Sequence, residues 1–216
     1  LGALGATVIL VGQNAENLSR AIDSLVGLGV DADSICVDVA DGQKVAEKVS
    51  QHSLAVNADI LINSAGVMSE KMSKTLRTTT EEWRRVMSIN LDSTFIAVNT
   101  LAPTMAEARN GRVIIFTACL GRMSGPGNAG GLAPYRISKA GVNALVRNLA
   151  HETGLGARGV LVDAVCPNHS RTDMGGADAP RSAEEGAACA LWLATREFNV
   201  GDTTGVLWED NQIVEW

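Results

Sequence analysis

DILINSAG, residues 59–66, decides the fold. Ile60, Leu61 and Ile62 follow one another without polar alternation, which suits a strand buried on both faces rather than one. Asn63-Ser64-Ala65-Gly66 then stops it with residue types that turn a chain. The same design recurs on both sides. Thr7–Gly12 and Ser34–Asp38 precede it; RVIIFTA (112–118), GVLVDAVCP (159–167) and a short closing GVLWED (205–210) follow. Between these runs the apolar spacing is helical. Leu18, Ala21, Ile22, Leu25 and Leu28 follow a capping Asn14, and Val45, Ala46 and Val49 share a face within Asp41–Val56. A long helix starts at a Thr80 cap and runs past Asn99; PYRISKAGVNALVRNLAHE (134–152) and SAEEGAACALWLATRE (182–197) supply two more. Apolar strands alternating with helices specify an α/β architecture: a doubly wound parallel sheet covered by helices on both faces.

Composition agrees. A chain of 216 residues suits a single domain spanning 1–216, and 46% hydrophobic against 19% charged residues fits a sheet covered on both sides. The net charge is −6 with Lys and Arg scattered, so no nucleic acid is expected as partner. No run of about 18 apolar residues predicts a membrane span, and no basic, then apolar, leader pattern opens the sequence. The expected location is cytoplasmic. Cys36, Cys119, Cys166 and Cys189 lack CxxC spacing and read as reduced core or near-core thiols. His52, His151 and His169 share no metal-ligand spacing, so no metal site is expected. Asn17 and Asn168 each open a glycosylation sequon that a cytoplasmic chain never presents to that machinery.

Ligands of such sheets sit at the carboxyl ends of the strands. Asn63–Gly66 and Thr117-Ala118-Cys119 lie at two such ends, and Tyr135, the only tyrosine, opens a helix with Lys139 one turn further on the same face. An ammonium beside a phenol favours the phenolate, and a tyrosine so tuned can exchange a proton near neutral pH.

Asp38-Val39, NSAG (63–66), SIN (88–90), YRISK (135–139) and CPNHSRTDM (166–174) together resemble the short-chain dehydrogenase/reductase family, in order and spacing, over almost the whole chain. The tail is similar to the carbonyl-reductase-like bacterial branch. The resemblance implies a Rossmann-like three-layer fold and an oxidoreductase that moves hydride between NADP(H) and a carbonyl or alcohol. It assigns Tyr135 as general acid or base, Lys139 to the nicotinamide ribose and to lowering the tyrosine pKa, and Asn90 to a helix kink and a proton relay. It sets Asn63, Ala65 and Gly66 against the cofactor's adenosine and ribose side. Asp38 and Val39 flank the adenine, and Pro167 and Thr172 meet the nicotinamide. Thr117 and Ala118 face the substrate, a small carbonyl or alcohol. Two helices, around 80–100 and the one carrying Tyr135, are dimer faces in many relatives, so a homodimer or homotetramer is expected.

Departures accompany it. Ala118 stands where the family usually has a substrate-binding serine, and alanine cannot donate; Ser124, or Thr117 through a bulge, could substitute. Asn168 replaces the family's glycine after Pro167, at a turn where asparagine tolerates left-handed backbone. Position 12 is Gly, so the acid that favours NAD is absent, and Gln13 stands where NADP-preferring relatives offer arginine; NADP with weakened discrimination, NAD being accepted too, is the expectation. The family's first strand and glycine-rich pyrophosphate loop are not found ahead of Thr7, and Leu1–Leu4 read as the last turn of the helix that follows that loop. On that reading roughly 20–25 residues of a βαβ unit are missing. The runs at Thr7–Gly12 and Asp59–Asn63 would then face each other across about 9–10 Å, and the chain would bind its dinucleotide poorly. Three functional readings follow: an active oxidoreductase, a catalytically impaired or non-catalytic relative serving as a binding or assembly subunit, and a fragment of an ordinary enzyme.

Overall fold

The computed structural model describes residues 1–70, 74–199 and 201–216. Its strands are β1 (Val8–Gly12), β2 (Ala32–Cys36), β3 (Ile60–Asn63), β4 (Gly111–Phe116), β5 (Val160–Val165), β6 (Leu207–Glu209) and β7 (Gln212–Val214). Its α-helices are α1 (Ala15–Gly27), α2 (Gly42–Gln51), α3 (Thr80–Met87), α4 (Ser93–Ala108), α5 (Ala133–Glu152) and α6 (Ala183–Thr195). β1 and β2 form a parallel pair; β3-β4-β5-β6-β7 form a second sheet, parallel except for β7. Among the described residues no strand pairs with the remaining edge of β1 or with the edge of β3 away from β4.

Alternation along β4 shows why its run is apolar throughout. Val113 and Ile115 enter a core with Val98 and Met105 of α4 and Val142, Val146 and Ala150 of α5. Ile114 points the other way, into a core with Cys189, Ala190 and Leu193 of α6. Each such side chain contributes about 1.5–3 kcal/mol when fully buried. A third core joins Ile35 and Val37 to Val45 and Val49 of α2, with Ile96 and Leu101 of α4 against it, so α4 bridges both sheets.

β5 is buried at every position, Asp163 included. Its carboxylate accepts from Trp208 Nε1 at 3.0 Å and Arg196 at 2.9 Å. The Arg196 guanidinium lies 5.2 and 5.1 Å from the ring centres of Trp192 and Trp208, which meet edge to face at 5.0 Å. Burial pushes the Asp163 pKa up despite these partners.

Several boundaries differ from expectation, among them β2, which runs Ala32–Cys36 rather than Ser34–Asp38. The long helix is capped by Thr79, whose hydroxyl accepts from Glu82 N–H at 3.2 Å, rather than by Thr80. α2 ends at Gln51 because the His52 ring turns to accept from Ala55 N–H, opening a separate 3₁₀ turn at Ala55–Asn57. The closing strand is followed by an antiparallel partner, β7, across Asp210 and Asn211, both with positive φ; that pair is a hairpin-turn signal the helix-and-strand alternation conceals.

Candidate active site

β3, β4 and β5 end side by side, and α5 lays its first turns against those ends. α5 buries one stripe: Tyr135, Ser138, Lys139, Val142, Asn143, Val146 and Ala150. The stripe is polar over its first turns and apolar beyond them, so folding the helix onto the sheet carries the polar groups to the strand ends. Thr117 Oγ1 lies 2.6 Å from Asn143 Oδ1 and 3.2 Å from Lys139 O, and Asn143 Nδ2 donates to Gly121 O at 3.1 Å. Gly121 permits this approach: a Cβ there would fall 2.7 Å from the Lys139 backbone.

The N-terminus of α5 has no cap of its own. Leu132 holds the N-cap position with φ 53°, and no side-chain cap bond is made there. The hydroxyl of Ser69, from the loop after β3, accepts from Tyr135 N–H at 2.9 Å and takes that place. Arg136 then gathers the glycine- and proline-rich loop, donating to Gly131 O at 3.0 Å and Pro126 O at 2.9 Å.

Asn90 is wholly buried in a π-helical turn, Ser88–Asp92, between α3 and α4. Its Oδ1 accepts from Val67 N–H at 2.7 Å; its Nδ2 donates to Val67 O and Ser138 Oγ, both at 3.0 Å. A carbon added to Gly66 would lie 3.5 Å from Asn90 Oδ1, 3.5 Å from Lys139 Nζ and 3.9 Å from Met174 Cε. Gly66, Asn90, Lys139 and the loop after β5 therefore converge. Asn63 Nδ2 donates to Thr94 Oγ1 and Asn63 Oδ1 accepts from Ala65 N–H, fixing the turn out of β3.

Lys139 Nζ donates to Phe116 O at 2.9 Å. Burial pulls its pKa down to about 8, and burial pushes that of Tyr135 up to about 12, with Cys166 and Cys119 adding to the rise. The expected lowering of the tyrosine by the lysine is not met: the phenol is too desolvated, and the ammonium is itself disfavoured and turned to a carbonyl. Thr117 needs a second correction. Its buried hydroxyl is taken by α5, so of the two residues expected at the substrate only Ala118 is left, and no bulge brings Thr117 round.

The remaining candidates lie further out. Gly12 is the last residue of β1 and Asp38 lies two residues beyond β2, with Gln13 and Asp38 exposed, Val39 half-buried, and the Asp38 carboxylate accepting from Ala40 N–H. Pro167 is half-buried after β5; Asn168 has φ 57°, the left-handed turn expected of it. Thr172 is exposed and its Oγ1 accepts from Gly175 N–H. The residues near Lys139 suit the ribose end of a nicotinamide dinucleotide: its ammonium has three donors and uses one. Gln13 offers no cation to a ribose phosphate. Sequence reasoning missed Ser69, because its contact with Tyr135 spans 66 residues.

A family model described as short chain dehydrogenase matches residues 1–183. A 3-oxoacyl-[acyl-carrier-protein] reductase of Staphylococcus epidermidis is 32% identical over 160 residues, which cover 74% of this chain and 62% of that one. A Pseudomonas aeruginosa reductase of the same description is 33% identical, with 81% and 68% covered. The fold superimposes on a Brucella melitensis 3-oxoacyl-[acyl-carrier protein] reductase with TM-score 0.80 at 27% identity, covering 95% and 80%, and on another from that organism described with bound NAD, TM-score 0.79 at 26% identity, covering 95% and 80%. The chain thus spans 62–68% of the curated relatives it matches here.

Proposed function

The chain belongs to the short-chain dehydrogenase family, and from that premise we propose that it is an oxidoreductase reducing a carbonyl group with NADPH, NADH being the weaker donor. Supporting this is the convergence of Gly66, Asn90 and Lys139 beside Tyr135 on the buried stripe of α5. The relatives' descriptions suggest a 3-oxoacyl thioester as the carbonyl compound.

A nicotinamide dinucleotide, when bound, supplies the hydride. Tyr135 donates the proton to the carbonyl oxygen. With its pKa near 12 the phenol is protonated at neutral pH and can give its proton to the developing alkoxide, a stronger base than a phenolate. Lys139 binds the ribose with the donors Phe116 leaves free. Asn90 holds Val67 and Ser138 in place and holds a water in the proton relay to Lys139. Asn63, Ala65, Gly66, Asp38 and Val39 line the adenosine side, Gly12 and Gln13 meet the adenosine ribose, and Pro167 and Thr172 meet the nicotinamide. The assembly proposed is a homodimer or homotetramer.

Ala118 supports a second reading, an impaired relative, because alanine gives the carbonyl oxygen no donor beside Tyr135, and the hydroxyl of Ser124, the expected substitute, donates to Trp216 O at 3.3 Å. The test is NADPH consumption with 3-oxoacyl thioesters and simple activated ketones, for the wild type and Ala118→Ser. A measurable wild-type rate that rises on the order of 10²-fold in the variant supports slow catalysis. Dinucleotide binding with no turnover in either protein supports a binding role and contradicts the enzyme.

A further inference from the structure

Cys119 and Cys166 meet just beyond the ends of β4 and β5. The two strands stay in register to Phe116 and Val165, and Thr117 N–H still donates to Val165 O at 2.8 Å. A 3₁₀ turn at Cys119–Gly121 then folds the chain back, so that Cys119 N–H donates to Cys166 Sγ at 3.1 Å. Cys166 is buried and pinned, its N–H donating to Trp208 O at 2.9 Å. Cys119 is half-buried, opposite it and next to Ala118. All four cysteines are reduced. Cys36 stands exposed at the end of β2, and Cys189 is packed against α6's own core on the other face of the sheet.

We propose that Cys119 and Cys166 are a peroxide-responsive thiol pair, Cys119 being the thiol that a hydroperoxide oxidises and Cys166 the one that closes a disulfide with it. The two thiols differ in exposure: Cys119 is half-buried and Cys166 buried, so a hydroperoxide reaches Cys119 first, and their proximity lowers the Cys119 pKa and raises that of Cys166. That split gives the two sulfurs different tasks. The Cys119 thiolate attacks an oxygen of the hydroperoxide; an S–O bond forms as the O–O bond breaks, and the released alkoxide or hydroxide takes a proton and leaves as alcohol or water. Cys166 sulfur then attacks Cys119 sulfur; the S–S bond forms, the S–O bond breaks, and the departing hydroxide takes the Cys166 proton as water. The pair loses two electrons and the peroxide gains them. A bridge needs the two Cα atoms within about 7 Å, and the contact of Cys119 N–H with Cys166 Sγ at 3.1 Å brings the two residues together.

The fully reduced full-length chain is treated with one equivalent of hydrogen peroxide, blocked with N-ethylmaleimide and mapped by mass spectrometry. The expected result is a bridged peptide joining Cys119 to Cys166, a mass lower by two hydrogens, unreacted Cys36 and Cys189, and full reversal by dithiothreitol. In Cys166→Ala, dimedone should label Cys119 as the trapped sulfenic acid; in Cys119→Ala, neither bridge nor label should form at Cys166. Oxidation arriving first at the exposed Cys36, or Cys119 remaining reduced while peroxide is consumed, overturns the proposal. Wild-type mapping decides the matter even if a variant does not fold. No catalytic rate is read, so failure here is separate from failure of carbonyl reduction.

Discussion

Lys139 is a charged group in a place chosen for chemistry rather than for stability. Burial holds its pKa near 8, below the ordinary lysine value, so between about pH 8 and 10.5 the unfolded chain binds the proton that the folded chain has released. Stability attributable to this residue therefore rises with pH across that window, and below it the full penalty is present. Lys139→Met should stabilise the chain at pH 7, by on the order of 3 kcal/mol less whatever the lost hydrogen bond to Phe116 O contributes, and the gain should vanish by pH 10.5. Urea titrations of both proteins from pH 6 to 10.5 measure it; a variant less stable than wild type at pH 7 contradicts this account. Helical spacing put Tyr135 and Lys139 on one face, and their roles came from the resemblance to the family rather than from spacing. Their pKa values were not legible, because these depend on how deeply the helix face is buried.

At the scale of the element, α5 depends on a cap lent by a distant loop. Leu132 has no side-chain acceptor, so Ser69 satisfies Tyr135 N–H. Ser69→Ala should lower stability by about 1 kcal/mol and reduce turnover more than cofactor affinity, since it frees the turn that carries Tyr135. Ser69→Thr should restore both; equal turnover in Ser69→Ala would contradict a positioning role. β4 and β5 were readable because they are buried on both faces and so are mostly apolar, Arg112 and Asp163 excepted, whereas β3 exposes Ile62. β7 was not readable, having three residues with two of them exposed. The cap of α3 was ambiguous among three consecutive threonines, Thr78, Thr79 and Thr80. The meeting of Cys119 with Cys166 depends on the register of β4 and β5 and a turn beyond it, which composition does not encode.

Across the molecule, the carboxyl ends of β4 and β5 rest on the polar tie below them. Asp163, in the middle of β5, is held by Arg196 from beyond α6 and by Trp208 from β6. Arg196→Ala would leave that buried carboxylate with only the neutral donors Trp208 and Thr204 and should cost about 3–5 kcal/mol; thermal or urea unfolding reads it, and a loss below 1 kcal/mol would show the pair to be dispensable. This rigid floor lets three strand ends present Gly66, Ala118 and Pro167 to one helix, and the central claim is that this helix delivers the proton. Steady-state and single-turnover NADPH oxidation with a 3-oxoacyl thioester, comparing wild type with Tyr135→Phe, tests it most directly. The account predicts a fall in turnover of on the order of 10²–10⁴-fold with NADPH affinity unchanged. A variant that turns over at the wild-type rate would contradict it.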